Sequence, residues 1–189
     1  MSDDRSRHRA PLTVRDNNER CQPDFRLSRM QSTSTSELAA LNRMLIVSAS
    51  YFLLTQNRLP TANEGQELVS SVPPGAKRED KFLWAAWQLE SLVGCIEITR
   101  HWPARDLAYI GYLQVHDAKR RRGIGTQTLE LACHRVRGWS GVRRLQLAVS
   151  ENNASGLAFW LAVGFRVTGH REHRSGFTAP LIVMERPLR

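Results

Sequence analysis

Disulfides, metal clusters and membrane spans have little to draw on in this chain. Cysteine occurs three times in 189 residues, at Cys21, Cys95 and Cys133. An odd, widely spaced set supports neither a disulfide framework nor a zinc site. Cys95 and Cys133 read as small core residues, and no pairing of histidine with acidic residues has metal-ligand spacing. The longest nearly apolar run, MLIVSASYFLL at 44–54, is too short to cross a bilayer. The N-terminal MSDDRSRHRA lacks the apolar core of a signal peptide. These shortages predict a cytoplasmic protein with no metal and no membrane partner. Internal repeats and low-complexity blocks are lacking too.

Negative charge is also scarce: 18 acidic residues stand against 27 Lys and Arg, for a formal net charge of +9. Residues 116–144 hold eight basic and two acidic residues, so +6 of that +9 lies in one short stretch. Such a stretch suits a nucleic-acid binder or an enzyme that holds a polyphosphate.

What is present reads as one globular domain. Hydrophobic residues make up 41% of the chain and charged residues 24%, a balance of folded rather than disordered proteins. Residues 1–23 are polar and aperiodic and read as a flexible extension, within which LTVR (12–15) is a candidate short strand. The domain then spans 24–189. DFRLSRM (24–30) alternates as a first strand. Ser34 and Glu37 form a capping-box signature before one helical stripe, Leu38 to Phe52, running to about Leu54. Thr61 is a candidate cap for a second helix. KFLWAAWQ (81–88) and SLVGCIEIT (91–99) read as a hairpin. LAYIGYLQV (107–115) is apolar on both faces, as a central strand should be. Strict alternation there sets Leu107, Tyr109, Leu113 and Val115 against Ala108, Ile110 and Tyr112. A helix follows Gly125, a strand occupies 142–150, a short helix 155–163, and strands begin at Phe165 and Pro180. The order predicts a mixed α/β sheet.

Chemistry concentrates where Lys119-Arg120-Arg121-Arg122 runs into Gly123-Ile124-Gly125-Thr126, between a buried strand and a helix. First-turn amides have no intrahelical partner, glycine lets a ligand approach the backbone, and a helix start attracts phosphate oxygens. A P-loop needs Gly-Lys-Ser/Thr and a dinucleotide fingerprint needs a third glycine; neither is here.

The segment resembles the acyl-CoA signature of the GNAT superfamily of N-acetyltransferases, Gln/Arg-x-x-Gly-x-Gly/Ala. ENNASGLAFWLAVGF (151–165) is similar to a later segment of that superfamily, with Asn153 and Gly164-Phe165 in register. The resemblance covers roughly residues 24–189. It implies a mostly antiparallel sheet of about seven strands, helices on both faces, and a splayed central pair, 107–115 and 142–150, that receives acetyl-CoA. It implies backbone contacts from Leu113 and Val115 and a pyrophosphate site at Arg120, Arg121, Arg122, Gly123, Ile124, Gly125 and Thr126. Asn153 then lies near the pantetheine arm, and Trp160 either packs against the cofactor arm or fills core. Many members carry Tyr where this chain has Trp160, and an indole N–H is no general acid. The acceptor amine is expected against residues 48–66, with Tyr51, Phe52 and Asn57 as candidates. Glu97, set in an apolar strand, is a candidate base whose pKa burial would raise. Tyr112 is a second catalytic candidate, and Tyr109, His116, His170 and His173 are weaker ones. The expected activity is acetyl transfer from acetyl-CoA to a primary amine, in a superfamily whose members often form homodimers. Two readings remain beside it: an acyl-CoA sensor of the same fold, and a basic nucleic-acid-binding or regulatory module.

Overall fold

A computed structural model describes residues 25–30 and 34–188; the extension 1–23, with LTVR and Cys21, lies outside them. Among the described residues, alternating apolar residues produce seven strands: β1 (Phe25–Arg29), β2 (Lys81–Gln88), β3 (Ser91–Arg100), β4 (Leu107–Val115), β5 (Arg144–Ser150), β6 (Arg166–Glu172) and β7 (Leu181–Pro187). They form one sheet in the order β1-β2-β3-β4-β5-β7-β6. The β4–β5 pair is parallel and its neighbours are antiparallel. Among the described residues the α-helices are α1 (Thr35–Ile46), α2 (Ser50–Gln56), α3 (Glu64–Ser70), α4 (Ile124–Val136) and α5 (Ala154–Ala162).

Two cores sit on opposite faces of the sheet. Leu129, Ala132, Cys133 and Val136 of α4, with Trp160 of α5, pack on Val93, Ile96, Ile98, Ala108 and Ile110. Leu41, Met44 and Leu45 of α1 and Phe52 of α2 pack on Leu83, Ala85, Leu92 and Cys95. The expected mixed sheet with helices on both faces is therefore present. Among the described residues no single helix is long and apolar enough to cross a membrane.

Three local features depart from the sequence pattern. The expected helix 34–54 is two helices, α1 and α2, bent by 63°. Ser34 does cap α1, accepting from Glu37 N at 3.4 Å, but the stripe hides a break at Val47–Ala49. There Ser48 Oγ accepts from Asp117 N (3.2 Å), and Asp117 accepts from Ser50 N (3.3 Å) and Ser50 Oγ (2.9 Å). A distant carboxylate thus caps α2. Second, α3 starts at Glu64 behind Asn63; Thr61 Oγ1 accepts from Asn63 N one turn earlier. Third, β4 is not strictly alternating. Glu97 pairs with Tyr112 and Ile98 with Ile110, so Gly111 bulges out of the β3 ladder. The extra residue reverses the faces beyond it. Leu113 and Val115 join Ile110 on the α4 side, and Tyr112 joins Tyr51 on the other.

Candidate active site

The bulge is where the sheet opens. Pairing of β4 with β5 runs from Leu107↔Arg144 to Ile110↔Leu147 and ends there. Beyond it β5 continues along β7, with Ala148↔Val183 and Ser150↔Leu181, while Gly111 to Val115 turn an unpaired edge into the gap. A cleft of about 700 Å³ fills the space. Gly111–Val115 form one wall and Leu147–Ser150 the other, with the starts of α4 and α5 closing one end and α2 the other. Buried unpaired backbone is costly, so such an edge calls for a ligand with amide groups of its own or for water.

At the α4 end the chain makes two left-handed turns, at Arg121 (φ 62°) and Gly123 (φ 79°). A Cβ on Gly123 meets nothing within 4 Å, so the backbone angle, not crowding, requires glycine there. A Cβ on Gly125 would press on the Phe159 ring at 3.4 Å. The first bond of α4 runs from Gln127 N to Gly123 O (3.0 Å), which leaves the amides of Ile124, Gly125 and Thr126 at the open helix start. Lys119, Arg120 and Arg121 line the cleft, and Arg122 is exposed beside it. Arg120 is already paired with Asp117 at 2.7 Å, so Lys119 and Arg121 bring the less committed charge. Asn153 caps α5, its Oδ1 accepting from Gly156 N at 2.9 Å. Trp160 lines the cleft and also packs edge-on to Phe159 and Phe165.

The α2 side of the gap is rich in hydroxyls. Tyr51 lines the cleft and meets Tyr112 edge to face, with centroids 5.7 Å apart. The Tyr112 hydroxyl donates to Gln114 Oε1, and Gln114 Nε2 donates to Ser48 O at 2.6 Å. Burial pushes Tyr112 well above the usual phenol range, so it keeps its proton at neutral pH. Tyr109 accepts from Arg174 Nη2 at 3.2 Å, and burial raises it too. Glu97 is 5% exposed and accepts from Thr99 Oγ1 at 2.8 Å. Burial raises its pKa, opposed first by the nearby Lys81 charge and then by Thr99. Its carboxylate does not line the cleft. It lies behind Gly111, where any Cβ would collide with Glu97 Oε2.

Other candidates fall away from the gap. Phe52 is 2% exposed in the core, and Asn57 ends α2 in a left-handed turn. His116 Nδ1 accepts from Ala118 N within its own turn. His170 is exposed on β6, and His173 borders a separate hollow in the β6–β7 connection. Burial pushes the Cys95 thiol up to about 12 and also raises Cys133, so neither is a ready nucleophile. Pattern reading passed over Gly111, Phe159, Gln114 and Asp117. For Gly111 a signal existed, since a glycine inside a strand marks a bulge.

Residues 50–165 match the acetyltransferase (GNAT) family. An acetyltransferase from Thermus thermophilus is similar in structure, with a TM-score of 0.66 at 26% identity over 86% of this chain and 96% of that one. The acetyltransferase of Salmonella typhimurium that modifies the N-terminal serine of ribosomal protein L7/L12 superposes with a TM-score of 0.71 at 15% identity, over 87% and 95%. A ribosomal L7/L12 α-N-protein acetyltransferase in complex with coenzyme A gives 0.69 at 14% identity, over 87% and 94%. No curated protein matches the chain significantly. With over half the sequence matched to the family and its fold reproduced, the chain belongs to the acetyltransferase (GNAT) family and is an acyltransferase of that class.

Proposed function

We propose that this protein is an N-acetyltransferase that moves an acetyl group from acetyl-CoA to a primary amine by direct attack on the thioester. The observation that carries the reading is the cleft itself: an unpaired β4 edge leads to the open amides of α4. An extended amide-bearing arm ending in phosphates fits both features. Bound acetyl-CoA supplies the activated acetyl group. The chain does the rest. Leu113 and Val115 orient the arm, and the backbone from Arg121 to Thr126, with Arg120, Arg121 and Arg122 around it, holds the pyrophosphate. Asn153 and Trp160 border the arm from α5.

The proton of the attacking amine goes to Glu97. Its path runs through water, because Gly111 stands between the carboxylate and the cleft. Tyr112 keeps its proton and donates it to Gln114 Oε1, so it is no base. A thiolate leaves without much help, since a thiol pKa is about 8.5, so replacement of Tyr by Trp160 does not stop the reaction. No acyl-cysteine is needed, which agrees with the buried state of Cys95 and Cys133. Tyr51 borders the acceptor; Phe52 and Asn57 act through it, by packing and by ending α2. The free thiols of Cys95 and Cys133 suit a reducing compartment, the cytoplasm.

The test is turnover with a panel of amines, read by thiol release and by the mass of the acetylated amine. Stoichiometric release and acetylation support the reading. Binding of CoA with no amine acetylated makes the protein a sensor. Tight DNA binding undisturbed by saturating CoA makes it a nucleic-acid module.

A further inference from the structure

One cation beside the cleft has no part in the transfer chemistry. Arg174, in the connection between β6 and β7, donates from Nη2 to the Tyr109 hydroxyl (3.2 Å) and to Glu172 Oε2 (2.9 Å). Both bonds leave one nitrogen, so among the described residues Nη1 and Nε have no protein partner. The connection is held in place. Thr178 N donates to Thr55 O at 2.9 Å, and Asn152 Nδ2 bridges Leu54 O (2.7 Å) and Thr178 Oγ1 (3.1 Å). The connection that carries Arg174 is thereby tied to α2, whose Tyr51 and Leu54 line the cleft. The Arg174 charge opposes the effect of burial on both Tyr51 and Tyr109. A hollow of about 410 Å³ opens on its other side.

The charges around this mouth favour one kind of acceptor. Glu64 is paired with Arg58 (2.8 Å), Glu151 with Arg171 (3.1 Å), Asp117 with Arg120 (2.7 Å) and Glu172 with Arg174 itself (2.9 Å). A polyamine or aminosugar is recognised by carboxylates with capacity to spare. Arg174 meets Glu172 through Nη2 alone and keeps Nη1 and Nε as unused donors, a planar pair suited to carboxylate. Building on the transferase reading, we propose that Arg174 determines specificity by binding a carboxylate of the acceptor. The acetylated amine then belongs to a small amino-acid-like zwitterion.

The test titrates the CoA-loaded protein with the standard amino acids and their α-amides by calorimetry, alongside acetyl transfer from acetyl-CoA. Wild type, Arg174→Gln and Arg174→Lys are compared. The expected result is an amino acid whose kcat/KM exceeds that of its amide by about tenfold or more, the scale of a charge-assisted hydrogen bond. Arg174→Gln should erase that margin through KM rather than kcat, and Arg174→Lys should restore part of it. Equal use of acid and amide by wild type overturns the proposal. So does an Arg174→Gln variant that loses both alike, as a merely structural tie to Tyr109 would. If amino acids bind selectively through Arg174 but nothing is acetylated, the transferase reading fails and the Arg174 site stands. If amines lacking a carboxylate are the only acceptors, the reverse holds.

Discussion

The carboxylate of Glu97 occupies the space that a side chain at position 111 would fill, so the two residues predict each other's mutants. Gly111→Ala should lower stability by about 1–3 kcal/mol, the usual cost of overpacking. Adding Glu97→Ala should recover most of it, as thermal unfolding of the single and double variants will show; independent losses would mean the two do not touch. Glu97→Gln keeps an acceptor for Thr99 Oγ1 and removes the proton acceptor. General-base catalysis contributes about 10²–10⁴-fold, so kcat should fall by that order and the rising limb of its pH profile should vanish. An unchanged profile transfers the role to solvent. Stability gives an independent check. Because burial raises the Glu97 pKa, its contribution to folding is complete below the unfolded value. It is lost as pH rises through the folded one. Towards neutral pH the Gln variant should therefore hold its melting temperature relative to wild type, with Lys81 limiting the difference.

At the scale of elements, Asp117 links the loop before α4 to α2 by capping α2 through Ser50 and pairing with Arg120. Asp117→Ala should cost about 1 kcal/mol, typical of a lost cap. For a chain of this size that is a fall of about 2–4 °C in Tm. It also frees Arg120, so acetyl-CoA affinity should hold or rise; a loss by calorimetry would show that Asp117 shapes the loop itself. Gly123→Ala should weaken acetyl-CoA binding, because a left-handed residue with a Cβ costs roughly 1–2 kcal/mol. Retained affinity in that variant would place the phosphate elsewhere. Most elements were legible because alternation and helical stripes are local. The failures share a physical cause: a long-range contact overrides a local pattern. The stripe from Leu38 to Phe52 continues unbroken across the bend that Ser48, Ser50 and Asp117 impose. One extra residue at Gly111 exchanges the faces of Tyr112 and Leu113 without altering the composition of β4. Glu97 stood out as polar in an apolar strand, yet its place behind the cleft wall depends on a neighbouring strand. The glycines at the α4 start were readable because backbone geometry restricts which residues fit.

Over the whole molecule, the net charge is +9, and Lys119 to Arg122 set four basic residues at the open start of α4. Acetyl-CoA affinity should therefore weaken as ionic strength rises, since exposed charges are screened. Salt-independent binding would mean that the amides carry the site alone. The central claim is that the gap between β4 and β5 is the acetyl-CoA site. A crystal structure of the acetyl-CoA complex tests it most directly. Pyrophosphate density is expected within hydrogen-bond reach of the Ile124, Gly125 and Thr126 amides, with a pantetheine arm running along the unpaired edge of Leu113 and Val115. Density for the ligand at any other place, with that edge left empty, would contradict it.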